Sequence, residues 1–230
     1  MKSRRIRLII TSITAILAVL GVIVVAQLAA NRSGVDAGAQ GAGIPAANTL
    51  IRQDPKDPLA LGDINAPVVM IEWTDLSCPY CAVFSRETLP AIIEEYVDTG
   101  KVRVEFHDVS FFGTDSEAAA VAVRAAGQQG KAVDYLQALY AATPERGPSE
   151  MPRETLIGFA REVGVSDIAS FAASLDDPHL LAAVQQSTNT AQQVGVNSVP
   201  FFLAEGRTLS GAQPIAVFRE FLDAAVLAAQ

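Results

Sequence analysis

Cysteine and histidine are the scarce residues of this chain. Its 230 residues hold two cysteines, Cys78 and Cys81, and two histidines, His107 and His179. Neither cysteine has any other to pair with, so no further internal disulfide can form. A structural zinc site draws on four soft ligands. One cysteine pair and two histidines in unrelated segments do not supply them, and no metal centre is expected. Basic residues are also few. All 25 acidic residues and 13 of the 17 basic ones lie beyond residue 30, so that portion carries a net charge of −12. An acidic body lacks the electrostatic footprint of a nucleic-acid binder. No internal repeat is present, and no low-complexity tract beyond residues 31–58.

The first 30 residues differ from the rest. Lys2, Arg4, Arg5 and Arg7 precede an uncharged run of 23 residues, 8–30. A secretory apolar region is usually about 7–15 residues long, whereas a membrane span takes roughly 20. Residues 1–30 are therefore expected to be an uncleaved signal-anchor, a transmembrane helix. The alternative is a long cleaved signal, with small residues such as Ala29, Ala30, Ala37 and Ala39 at the processing site. The basic flank places the N-terminus in the cytoplasm and exports the remainder. Residues 31–58 are rich in Gly, Ala, Asn and Asp, with Pro45, Pro55 and Pro58 and no apolar periodicity. They read as a flexible tether to one domain over 59–230.

The chemistry concentrates in residues 68–81, VVMIEWTDLSCPYC. An apolar, β-branched run predicts a buried strand, and the polar turn after it delivers Cys78-Pro79-Tyr80-Cys81. A Cys-x-x-Cys that follows a strand and opens a helix reads as a redox dithiol. One helical turn brings the two sulfurs within bonding distance. Cys78 then sits among unsatisfied N–H groups at the positive end of the helix dipole, which favours its thiolate. Cys81, one turn further in, stays a thiol. Pro79 suits the first helical turn. Glu72 lies in the middle of the apolar strand, where a carboxylate is costly without a partner or a task; the bland alternative is a side chain facing solvent at a sheet edge. Asp75, in the turn, would disfavour a thiolate beside it, and a turn role is expected for it.

Around this stretch the pattern predicts a short strand near 59–61, a helix over 78–98 kinked by Pro90 and closed at Gly100, and a strand over 101–109. Residues 114–194 read as about five helices, broken near Gly130, 143–152, Gly164 and Asp177, with a Thr114-x-x-Glu117 capping box at the start and Asp177-Pro178 as a cap. Two short strands at 200–203 and 207–209, turning at Glu205-Gly206, precede a last helix opened by Pro214. Trp73, five residues before Cys78, is expected beside the site or in the core. His107 and His179 are expected to be structural, and Phe111 and Phe112 to pack between sheet and helices.

This succession, with CPYC after its strand, the strand entry Gly100-Lys101-Val102-Arg103, and Gly195-Val196-Asn197-Ser198-Val199-Pro200-Phe201, resembles the thiol–disulfide oxidoreductases of the DsbA family. It is most similar to their single-domain, membrane-tethered bacterial form. The resemblance covers residues 59–230. It implies an α/β thioredoxin fold with an inserted helical subdomain, about 114–194, preceded here by the N-terminal transmembrane helix. It places a cis-proline, Pro200, opposite the dithiol, and makes the backbone of Val199 the docking edge for an extended substrate. Val199 is similar to the oxidases, where isomerases more often carry Thr. Glu72 matches an acid that accepts a proton near the second cysteine. Pro79 and Tyr80 tune the potential: Pro-Tyr resembles the glutaredoxin pair, whereas the founding oxidase has Pro-His.

The resemblance thus implies an extracytoplasmic enzyme that forms disulfides in exported proteins with free cysteines through Cys78 and Cys81. It needs no organic cofactor or metal, and a membrane partner of the DsbB or vitamin K epoxide reductase-like kind reoxidises it. The alternatives are a thiol reductase, for instance in apocytochrome maturation, and a copper-binding chaperone using the two thiolates.

Overall fold

In the computed structural model, which describes residues 49–144 and 150–230, five strands form one mixed sheet. These are β1 (Ala60–Leu61), β2 (Val68–Thr74), β3 (Val102–Asp108), β4 (Phe201–Ala204) and β5 (Arg207–Ser210), in spatial order β1-β3-β2-β4-β5. β2 pairs in parallel with β3 and antiparallel with β4. It is covered on both edges, which is why it is apolar nearly throughout. Its period of two sorts its side chains between two cores. Met70 joins Val104, Phe106, Phe202 and the cysteines on one face, while Ile71 and Trp73 join Val109, Ala191, Val196 and Leu203 on the other.

The helix after β2 is interrupted twice. α1 (Pro79–Glu87) stops at Thr88, α2 (Leu89–Ile92) restarts, and Ile93–Val97 widens into a π-helical turn. Pro90 has no N–H for the Arg86 carbonyl, and its ring crowds that group. The sequence predicts one kinked helix; the break falls two residues ahead of the proline for this reason. Gly100 ends the segment at φ +70°, where the Lys101 N–H closes on the Tyr96 carbonyl.

Five helices then leave the sheet and return to it: α3 (Thr114–Gly127), α4 (Ala132–Ala142), α5 (Arg153–Glu162), α6 (Ile168–Ser174) and α7 (Pro178–Gln193). Asp177 caps α7 by accepting the His179 N–H at 2.8 Å. The capping box expected at Thr114 does not form. Gly113, at φ +88°, occupies the cap, which makes Thr114 the first helical residue and takes its hydroxyl out of reach. The chain closes with α8 (Ile215–Ala228). Phe84 of α1, Phe202 of β4 and Phe218 of α8 meet with ring centroids 4.6, 5.0 and 4.8 Å apart. That triad fixes the dithiol helix to the sheet and to the last helix; such pairs add about 0.5–1.5 kcal/mol each beyond area burial.

Residues 49–58 depart from the tether expected over 31–58. Leu50 and Ile51 pack on the Trp73 core. Arg52 donates to the Asp57 carboxylate at 2.6 Å, to the Leu59 and Phe106 carbonyls at 2.9 and 3.1 Å, and from its backbone N–H to Glu105 at 2.9 Å. The bonds to Glu105 and Phe106 reach a distant strand, so the segment docks although its own sequence has no periodicity. Among the described residues no helix is long and apolar enough to cross a membrane; the anchor expected over 1–30 lies outside them.

Glu105 is fully buried and also takes the Arg103 guanidinium at 3.2 Å, with His107 Nε2 at 3.5 Å. Removing one member of a buried pair leaves the other charge uncompensated. Glu105→Ala is therefore expected to destabilise the domain by about 3–5 kcal/mol, read as a lowered urea midpoint.

Candidate active site

The site forms where β2 ends and α1 begins. Cys78 is the N-cap of α1 and Pro79 its first residue. No side chain caps this helix end, so the free N–H groups of the first turn are left to face the Cys78 sulfur. Those of Tyr80 and Cys81 do so, and together with the Cys81 thiol, whose hydrogen bond is the largest contribution, they hold the Cys78 thiol below its ordinary value. Burial and the Asp75 charge act against them. Cys81 is driven the other way. Burial raises it well above the ordinary thiol range, and donation to Cys78 raises it further. One cysteine is poised as thiolate and its neighbour is kept as thiol. Both are free and buried.

The Val199–Pro200 peptide is cis and faces this pair from the loop before β4. The Cys78 thiol donates to the Val199 carbonyl at 3.8 Å, so the structure brings together residues more than a hundred positions apart. Tyr80, at 68% exposure, points away from the core.

Glu72 lies on the same face of β2 as Met70 and Thr74, level with Phe106 on one side and Phe202 on the other. It is not at a sheet edge. Only 1% of its surface is exposed, and neither carboxylate oxygen has a hydrogen-bond partner. Burial pushes this carboxyl up to about 8, with the nearby Thr74 hydroxyl only partly opposing it. Near neutral pH it is a neutral acid that can become a base within one or two pH units.

Of the two places expected for Trp73, beside the site or in the core, it takes the core, and of the two phenylalanines expected to pack only Phe111 does. Trp73 lies on the opposite face of the sheet from the dithiol, between His107 and Phe201 at centroid distances of 5.6 and 5.9 Å, because odd positions of β2 face the second core. Phe111 packs on that core, whereas Phe112 is 47% exposed. His107 is held below its ordinary value chiefly by burial, and His179 is exposed at a helix start.

Asp75 serves the turn, as expected, but reaches well beyond it. The buried carboxylate accepts from the N–H of Ser77 at 2.9 Å, of Phe111 at 2.6 Å and of Phe112 at 3.3 Å, and from the Ser116 hydroxyl at 2.7 Å. Its carbonyl accepts the Cys78 N–H at 3.0 Å and the Tyr140 hydroxyl at 3.1 Å. Tyr140 and Thr74 share a second hydroxyl bond at 2.6 Å. An acid in the turn before the dithiol is the available signal, but three of its four donors lie too far along the chain to be inferred.

The raised Glu72 carboxyl makes stability depend on pH. Below pH 4.5 it is neutral in folded and unfolded chains alike and costs nothing. Between 4.5 and about 8 the unfolded chain ionises while the folded one does not, so stability falls as pH rises. Glu72→Gln abolishes this dependence, with an expected gain of about 3 kcal/mol at pH 7 that disappears in acid. Denaturant unfolding of the reduced protein at several pH values measures it. The same substitution is expected to slow exchange at Cys81 by about 10²-fold, the usual scale of general acid–base assistance.

Residues 54–224 match the family model described as Thioredoxin. A probable disulfide bond formation protein D of Bacillus anthracis is 27% identical over 150 residues, which is 64% of this chain and 69% of that protein. Among solved structures, oxidised BdbD of Bacillus subtilis superposes with a TM-score of 0.70 at 21% identity, over 76% of this chain and 95% of that one, a likeness of fold. A thioredoxin-like oxidoreductase from Silicibacter pomeroyi is similar at a TM-score of 0.61 and 29% identity, over 75% and 93% of the two chains. Sheet, dithiol turn and family match agree: the chain belongs to the thioredoxin family.

Proposed function

We propose that this chain is a DsbA-like thiol:disulfide oxidoreductase that works in the oxidising direction, outside the cytoplasm and anchored by residues 1–30, forming disulfides in exported proteins. The observation that carries this reading is the placement of the cysteines: Cys78 at the uncapped start of α1 and Cys81 fully buried one turn in, which holds the first below and the second well above the ordinary thiol. A stabilised Cys78 thiolate makes the reduced form the favoured one, and the disulfide correspondingly oxidising.

In the disulfide form a substrate thiolate attacks Cys78 Sγ. The bond to Cys81 breaks, and Cys81 leaves as a thiolate that takes the proton of the neutral Glu72 carboxyl. A second substrate thiolate then attacks the substrate sulfur of the mixed disulfide and expels the Cys78 thiolate. The substrate has lost two electrons, and the enzyme holds them as its dithiol. Return to the disulfide requires Cys81 to lose its proton, for which the ionised Glu72 is the base, and passes both electrons to a membrane partner of the DsbB or vitamin K epoxide reductase-like kind. The Val199 carbonyl and the adjacent chain before β4 offer backbone groups to an extended segment of the substrate.

Two measurements test this. The equilibrium with glutathione is expected to give a potential between about −270 mV, that of thioredoxin, and about −120 mV, that of the strong oxidase; a value at or below the former overturns the oxidising direction in favour of a reductase. Cys81→Ser removes the internal thiol that would resolve a mixed disulfide; its Cys78 thiolate, attacking disulfides of exported proteins and releasing one substrate thiol, is expected to accumulate them as mixed disulfides, identified after non-reducing electrophoresis. A trap that stays empty counts against exported substrates.

A further inference from the structure

Asp75 is the one carboxylate beside the dithiol turn that the exchange steps do not use, yet it is among the most heavily hydrogen-bonded side chains of the described residues. Four donors converge on it: the N–H groups of Ser77, Phe111 and Phe112 and the Ser116 hydroxyl. Three of the four come from the loop before α3 and from α3 itself, and none carries a positive charge. A carboxyl whose oxygens receive four donors has no acceptor to which it could give a proton, so the constellation favours the ionised form. Burial outweighs these donors and leaves the carboxyl above its ordinary value, while the four of them hold back the rise. The residue also fixes the turn through its main chain, since the Asp75 carbonyl accepts the Cys78 N–H at 3.0 Å and the Tyr140 hydroxyl of α4 at 3.1 Å.

We propose that Asp75 is the positioning residue of the dithiol turn: its carboxylate locks the turn to the helical insert, and its charge restrains the oxidising strength of the disulfide. A fixed negative charge three residues from Cys78, in a poorly solvated setting, opposes a second negative charge on that sulfur. The Asp75 charge accordingly acts on Cys78 against the helix N–H groups. The remaining titratable neighbours cannot play this part at neutral pH: Glu72 is a neutral acid, and Tyr140 is held protonated by burial. The same residue therefore does two opposed things. It keeps Cys78 seated at the helix end that stabilises its thiolate, and it limits how far that stabilisation goes.

This inference rests on the dithiol exchange proposed above only in taking Cys78 as the reactive thiol. Asp75→Asn removes the charge and keeps one of the two acceptor oxygens, turning its amide N–H2 toward the donors of the other. In the reduced protein its Cys78 thiolate absorbance is expected to titrate about 0.5–1 pH unit lower than in the wild type, a three- to tenfold higher thiolate-to-thiol ratio. The two-electron equilibrium, in which enzyme disulfide and two glutathione thiols give enzyme dithiol and glutathione disulfide, should move toward reduced enzyme by a similar factor. Ser116→Ala removes one donor and leaves the charge, so it should lower stability with the Cys78 midpoint unchanged. If Asp75→Asn titrates with the wild type, or if Ser116→Ala moves Cys78 as far, the charge has no such role and the inference is overturned.

A measurement on the wild type guards against a variant that does not fold. With carboxyl-labelled aspartate, the Asp75 carbon signal of the reduced protein should shift at the midpoint of the Cys78 thiolate, and should show no such step in the disulfide form. A signal that passes flat through that midpoint overturns the inference. Failure of Cys78 to exchange with oxidised glutathione at all would instead count against the proposed function, and would leave the Asp75 readouts intact.

Discussion

Everything at this site depends on β2 being paired on both edges. A strand hydrogen-bonded to β3 and to β4 cannot slip its register without turning each side chain to the wrong face. That register puts Glu72 between Phe106 and Phe202 and hence out of water, puts Trp73 on the far side, and ends the strand where Asp75 can reach the insert. A carboxyl in such a place costs stability once the unfolded chain ionises. The proposed exchange gives it a task, moving a proton to and from Cys81, a group that burial keeps from ionising without help.

The cysteines differ because the helix end treats them differently. Cys78 sits outside the helix and takes what its free N–H groups offer; Cys81 sits inside it and donates to Cys78. Two identical side chains three residues apart thus acquire opposite proton affinities from the geometry of a single turn. No metal or charged side chain is needed to produce that difference, although Asp75 moderates it.

How much of this was legible in the sequence depended on the range of the interactions. The dithiol, its helix start, the β2 strand, the five helices of the insert and the Gly100 stop follow from local rules, and a sequence displays local rules directly. The facing loop at Val199 and Pro200 came from the resemblance, since nothing near residue 199 points to residue 78. What stayed hidden was long-range and polar. Arg52 and Asp57 look like tether residues until Glu105 and the Phe106 carbonyl are seen beside them. Thr114 and Glu117 have capping-box spacing, but Gly113 takes the cap. Asp75 shows only as an acid in a turn, because three of its four donors come from a segment beyond β3.

The helical insert is not an addition to a self-sufficient core, as the contacts of the dithiol turn and its helix make plain. The carboxylate of Asp75, the hydroxyl of Thr74 and the guanidinium of Arg86, which donates to the Tyr140 and Thr143 carbonyls at 2.6 and 3.2 Å, all find partners in the insert or in the loop leading to it. A shortened chain with sheet and cysteines intact would strand these groups in a dry interior. The reactive turn is for that reason not a portable cassette: grafted onto a bare thioredoxin-type sheet, it would carry its cysteines but not the scaffold that aims them.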